Sequence, residues 1–340
     1  MTRTKPTLIS RFQGCLMGVL LGDAMGMPWE TMSRRQIRRA TDGIGVTGFV
    51  DPRQRSSPDT AHLKAGDWTD DWQLTAAVAE SIIRNRGLLG EDMARAHVQA
   101  YRSSAAGWGE TTKEAMREFD LWTTSFGQRG RKPWVAATNS SRGNGVAMKV
   151  APLALFHQRK EPRHLSEDVQ KLGQMTHGDS LAWITAYALA LIINDITRTG
   201  ECAPARLVSR VRYIEGKHGG ARLVTHELSR RLDAMSGPYF TKASLDDVLL
   251  VTGDGFDAVE SVSVAIACAM RHLDDPRAGL LEAINCGGDT DTNASMAGAI
   301  LGARNGLEGW PEEWRAFRPE YSIALDLGAR LLAAARYDTR

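Results

Sequence analysis

The chain has 340 residues, 43% of them hydrophobic and 24% charged, a balance typical of a globular protein able to bury a large core. Its 42 basic and 40 acidic residues leave a net charge of +2, which argues against strong bulk attraction to nucleic acid or an anionic membrane. Cys15, Cys202, Cys268 and Cys286 show no C-x-x-C spacing, so zinc and redox chemistry are not indicated and a reducing cytoplasm is the expected compartment.

In chain order, Ser10 and Gln13 form a capping-box pair for the first predicted helix. Phe12, Cys15, Leu16, Val19 and Leu20 then repeat at helical spacing, and the helix is expected to end near Gly22. Arg3 and Lys5 precede this apolar run, but the run is short and broken by Gly18, so a secretion signal is not expected. Residues 33–66 are rich in Arg, Gly, Pro and Ser and have little periodicity. They are predicted to be a long loop excursion between two motif-bearing helices, a length usually tied to function or disorder. After Asp70 a helix carries Leu74, Val78, Ile82 and Ile83 on one side and stops at Gly87.

Further helices are predicted at about 91–106, 110–125, 145–157, 179–196, 203–215, 221–235, 254–272, 289–304 and 320–336. Residues 127–133 read as a second exposed, basic loop. The low-polarity run at 181–193 is too short to span a bilayer and reads as a buried core helix. Hardly any segment alternates apolar and polar residues, so the expected fold is all-α, in one domain covering 1–340.

Five motifs carry the chemistry. Gly287-Gly288-Asp289-Thr290-Asp291-Thr292 turns tightly and then projects carboxylates and hydroxyls from a helix start, and Thr69-Asp70-Asp71 does the same upstream. Asp and Thr also serve as helix N-caps, but capping needs one side chain rather than two adjacent ones. Four converging carboxylates repel unless neutralised, and hard oxygen donors without His or Cys suit Mg²⁺ or Mn²⁺ rather than zinc. Ser141-Arg142-Gly143-Asn144-Gly145 is a glycine-rich turn expected to feed a helix N-terminus, where backbone N–H groups can hold phosphate. His177 in Thr176-His177-Gly178-Asp179 is placed at a third helix mouth, with Asp179 as its N-cap, and Glu30 follows Gly22-Asp23-Ala24-Met25-Gly26-Met27-Pro28-Trp29 to open the long excursion.

This ordered set, together with Met148 and Ala151-Pro152, resembles the ADP-ribosylglycohydrolases, typified by dinitrogenase reductase-activating glycohydrolase, from about Arg11 to Gly306. The resemblance implies a compact, orthogonal multi-helix bundle with two Mg²⁺ or Mn²⁺ ions that cleaves the glycosidic bond between ADP-ribose and a modified side chain. It makes Thr69, Asp70, Asp71, Asp289, Asp291 and Thr292 the metal ligands, and it places diphosphate on Gly143, Asn144 and Gly145 and ADP-ribose against His177. Glu30, Asp70 and Asp291 become the catalytic carboxylates, with Glu30 as proton donor on a gating loop. Lys149 departs from the arginine common in the family at that position.

The expected substrate is mono-ADP-ribosylated protein, linked through arginine, with serine-linked or other adducts as the alternative. A different class of reading is an immunity or structural protein that binds an ADP-ribosylating toxin. No membrane partner is expected, and nucleic acid is disfavoured.

Overall fold

Every fourth residue from Gly14 to Gly26 is a glycine, and these glycines decide how the first helix packs. In the computed structural model, which describes residues 5–52, 60–124, 132–218, 226–237 and 240–337, helix α1 (Leu8–Gly26) lies directly against helix α14 (Thr290–Asn305). A Cβ on Gly18 would sit 2.1 Å from the Gly298 carbonyl oxygen, and one on Gly26 would sit 2.4 Å from the Asp291 Cα. Only bare backbone permits this approach. The close contact also corrects two expectations for α1. The helix continues through Gly22, because the glycines there serve packing and not termination. Its N-cap is Thr7, which accepts the Ser10 N–H at 3.3 Å, and not the Ser10/Gln13 pair.

The other helices surround this pair. They are α2 (Arg34–Ala40), α3 (Asp70–Asn85), α4 (Gly90–Ser103), α5 (Glu110–Thr124), α6 (Ala151–Phe156) and α7 (Pro162–Gln174). They continue with α8 (Ser180–Thr199), α9 (Pro204–His218), α10 (Glu227–Met235), α11 (Leu245–Thr252) and α12 (Ala258–Arg271). The last are α13 (Pro276–Asn285), α15 (Glu312–Arg315) and α16 (Ser322–Tyr337). No strand occurs among the described residues, so the fold is all-α as expected.

Helix α8 is long and apolar enough to cross a membrane, but 83% of its apolar window is buried inside the protein. It is a core helix. The Arg11 guanidinium donates to the Ile196, Ala303 and Arg304 carbonyls, tying α1 to the C-terminal ends of α8 and α14 where free carbonyls collect.

Besides the single-turn α15, four helices, α2, α7, α11 and α13, are not expected from periodicity. Each begins at a strong local signal, Ser33 with Gln36 for α2, Pro162 for α7, Ser244 for α11 and Asp275-Pro276 for α13. The predicted excursion at 33–66 is therefore partly helical, and it is anchored elsewhere. Val46 and Asn285 exchange hydrogen bonds of 2.8 and 3.1 Å, and Phe49 stacks on Phe317 at 4.0 Å. Residues 53–59 of that segment, 125–131 spanning most of the second basic loop, and 221–225 of a predicted helix lie outside the described residues.

Candidate active site and metal centre

Asp23 organises the site. Its carboxylate, on the last turn of α1, accepts the Thr69 N–H at 2.9 Å, the Thr69 hydroxyl at 2.7 Å and the Trp72 N–H at 2.8 Å. It thereby caps α3 from a distant helix, and Thr69 itself makes no side-chain cap. The side chain of Asp289, at the start of α14, makes no cap either. Asp291 Oδ1 accepts the Thr292 N–H at 3.0 Å in the first turn of α14, but one such bond leaves the remaining carboxylate oxygens of the two motifs unexplained by capping.

The helix packing brings the two motifs together in two overlapping groups. One oxygen each from Asp23, Asp71 and Asp291 lies within 4.8 Å of the others, and the same holds for Glu30, Asp289 and Asp291. All but Glu30 are buried. Asp71 Oδ1 is buried without a hydrogen-bond partner, while its Oδ2 accepts from the Thr292 hydroxyl at 3.3 Å. Buried carboxylates facing one another over an unsatisfied oxygen fit a hard divalent cation. Thr290, inside the same motif, points away and donates to the Gly26 carbonyl at 2.8 Å, locking α14 to α1.

The electrostatics agree. Burial raises the Asp70 carboxyl well above its usual range, and Asp23 and Glu30 add to the shift. Burial, then Glu30, Asp289 and Asp71, do the same to Asp291. Burial pushes Asp23 up to about 6 against three hydrogen bonds that favour its charged form. Lys149 is fully buried beneath this cluster with no hydrogen-bond partner, and burial pulls it down to about 8 while Asp70 opposes the shift.

The turn at 143–145 takes a different local form from the one expected. Residues 145–149 make tight turns, with Ala147 N–H bonded to the Asn144 carbonyl at 2.8 Å, and α6 begins only at Ala151 before Pro152. The predicted helix at 145–157 is thus confined to its second half, because Pro152 is suited to a helix's first turn and not its interior. The Asn144 side chain is committed to protein, donating to Asp289 and, at 2.9 Å, to the Ser261 hydroxyl. It orients a carboxylate, a role the motif alone did not disclose.

His177 lies across the turn. A Cβ on Gly145 would be 3.0 Å from its Cε1, and its Nδ1 is 2.8 Å from the Thr176 hydroxyl. Burial, then the Lys149 charge, lowers it to about 3, so it is neutral at physiological pH. Asp179 caps α8 as expected, accepting the Leu181 N–H at 2.8 Å.

Glu30, Asp70, Asp289, Asp291, Thr292, the 143–145 turn and His177 all line one cleft, with Glu110, Thr112 and Phe256 on its walls. Thr69 and Asp71 lie behind that surface, beside Asp23. A larger apolar cavity between α8, α9 and α12 contains none of these groups.

Comparison with known proteins decides the relationship. The ADP-ribosylglycohydrolase family profile matches residues 4–339. The chain belongs to this family. It is 29% identical to ADP-ribosylhydrolase ARH3 of Bos taurus over 90% of this chain and 88% of that one, with the same figures for the Homo sapiens protein. A solved structure described as an ADP-ribosylglycohydrolase-related protein complex superposes with a TM-score of 0.70 at 23% identity, covering 96% of this chain and 99% of that one, a likeness of fold. The protein is a hydrolase acting on ADP-ribose glycosidic linkages.

Two features of the hydrolase's site were only partly legible in its sequence. Asp23 stood in a recognised motif, but a lone carboxylate inside an apolar helix gave no sign of capping α3. Glu110 and Phe256 lie on the cleft wall outside every motif.

Proposed function

We propose that the hydrolase releases ADP-ribose from mono-ADP-ribosylated protein using two divalent cations, Mg²⁺ or Mn²⁺, and that the adduct is O-linked to a serine hydroxyl. The observation that carries the linkage is the state of the cleft carboxylates. Among the described lining residues these are Glu30, Asp70, Asp289 and Asp291, which face one another, and Glu110. Glu110 is already paired with Lys113 at 3.1 Å. An arginine adduct binds as a guanidinium cation that a free, bidentate carboxylate would recognise, whereas a serine oxygen must be protonated as it leaves. The arginine linkage expected from the sequence draws no support from the relatives.

Asp23, Asp71 and Asp291 would hold one cation, and Glu30, Asp289 and Asp291 the other. When bound, the ions supply a Lewis acid for the ribose diol and an acidified water. The chain's own residues do the rest. In the 143–145 turn the Gly143 N–H is donated to Ser141 Oγ at 3.3 Å, so the Asn144 and Gly145 N–H groups are the ones offered to the diphosphate. Neutral His177 contacts the ribose without repelling a cationic transition state, and the Asn144 side chain keeps Asp289 oriented. Glu30, the half-buried member of the carboxylate set, supplies the proton to the leaving oxygen. The complete carboxylate set supports catalysis over a protein that only binds an ADP-ribosylating toxin. Four free cysteines support a reducing, cytoplasmic setting.

The test is release of ADP-ribose from matched serine- and arginine-modified peptides, with and without chelator. Chelator-sensitive release from the serine peptide alone is expected. Preferential release from the arginine peptide would sink the linkage, and full activity in chelator would sink the metal centre.

A further inference from the structure

Helix α2 carries four arginines in six residues, and they share one groove. Arg34, Arg35, Arg38 and Arg39 line a depression of about 540 Å³ whose opposite wall bears Asp246 and Asp254. Arg34 is structural, bonded through Nε to Asp246 at 2.9 Å and through Nη1 to the Asn285 carbonyl at 3.2 Å. Arg35, Arg38 and Arg39 are exposed and make no ion pair or side-chain hydrogen bond with any described residue. Their spacing of three and four places them on one helical face, while Ile37 is buried on the other.

The groove adjoins the active-site cleft. Thr31 and Met32 exchange backbone hydrogen bonds of 2.9 Å with Gly288, inside the acidic motif. The strip carrying Asp254 of the groove runs two residues on to Phe256 of the cleft wall. A chain whose ADP-ribose occupies the cleft must leave its mouth over a neighbouring surface, and on this side that surface presents three exposed guanidiniums with no partner among the described residues. The two carboxylates and the half-buried Leu249 in the same groove would repel or waste a continuous phosphate backbone, and the net charge of +2 provides no wider basic track. A polypeptide with scattered acidic side chains can pair with the arginines while setting its uncharged residues against the two carboxylates and Leu249.

We propose that the arginine face of α2 docks an acidic segment of the polypeptide that bears the ADP-ribose, a selectivity that rests on the hydrolase acting on serine-modified protein. Guanidinium forks pair carboxylates in this way at little structural cost, because the exposed arginines need no rearrangement.

Two serine-ADP-ribosylated peptides, identical except for flanking glutamates or flanking glutamines, test it. Wild-type protein at low salt should show a KM about tenfold lower for the glutamate peptide, and the difference should vanish near 500 mM salt as charges are screened. The double variant Arg38→Glu/Arg39→Glu should lose the preference while keeping kcat on the glutamine peptide. Arg35→Glu, on the same face, serves if the double variant does not fold. Equal KM values for wild type would overturn this inference alone. No release from the glutamine peptide would overturn the serine linkage and the inference with it. A lower KM for an ADP-ribosylated DNA end than for either peptide, lost in the double variant, would replace the acidic peptide with nucleic acid.

Discussion

The Asp23 carboxylate accepts both the backbone N–H of Thr69, at 2.9 Å, and its hydroxyl, at 2.7 Å. This pair is 46 residues apart in sequence, and it joins the start of α3 to the inner face of α1. One side chain therefore has two duties, since it also faces Asp71 and Asp291 in a carboxylate group that could hold a metal ion.

Replacing Asp23 should separate those duties. Asp23→Ala leaves the Thr69 and Trp72 N–H groups buried without acceptors, which should cost about 2 kcal/mol or more in urea unfolding. Asp23→Asn keeps an acceptor and should cost less, yet both variants should lose divalent-ion binding by calorimetry. An Asp23→Ala protein within about 0.5 kcal/mol of wild type would contradict the cap.

Metal affinity should depend on pH in a stated direction. The raised Asp23, Asp70 and Asp291 carboxyls mean that the folded, metal-free protein retains protons the unfolded chain has released. Their stabilising contribution is present below the usual carboxyl range and is lost as pH rises through the folded values, which for Asp23 is about 6. A cation must displace those protons, so Mn²⁺ affinity should rise between pH 5 and 7.5, by up to about tenfold for each displaced proton per pH unit below its pKa. Manganese titration followed by spin resonance measures it, and a flat profile would count against these carboxylates as ligands.

Glu30 has the most exposed carboxylate of its group. Glu30→Gln should lower kcat by about 10²- to 10⁴-fold if the residue delivers the proton. The residual activity should depend more steeply on leaving-group acidity, so that a substrate with a phenolic leaving group recovers most of the rate. Unchanged kcat on the serine peptide would move the proton donor elsewhere.

The glycine contact between α1 and α14 should be intolerant of even one methyl group. At Gly18 the obstructing atom is the Gly298 backbone carbonyl, which no rotamer change can move. Gly18→Ala should therefore destabilise by about 3 kcal/mol or more and weaken metal binding, because separating the helices draws Asp23 away from Asp291. Gly43→Ala is a poor control, as its backbone is left-handed at φ 85°. Gly109→Ala, whose Cβ meets nothing within 4 Å, should change stability little.

Much of this protein could be read from its residues in order. Helical spacing of apolar side chains revealed the long helices, and adjacent carboxylates at two helix starts marked hard-cation chemistry, because both signals are local. Short helices such as α2 and α11 escaped, since seven or eight residues hold too few turns for periodicity to show. What the tertiary structure alone decided is which carboxylates meet. Asp23, Asp71 and Asp291 converge only because bare glycine backbones let α1 and α14 touch, and Asn144 reaches Asp289 only because its turn lies against α12. The burial of Lys149 beneath the cluster and the neighbouring arginine groove have the same origin. A side chain's type is written in the sequence, but its partner across hundreds of residues is set by which surfaces can approach closely enough to exclude water.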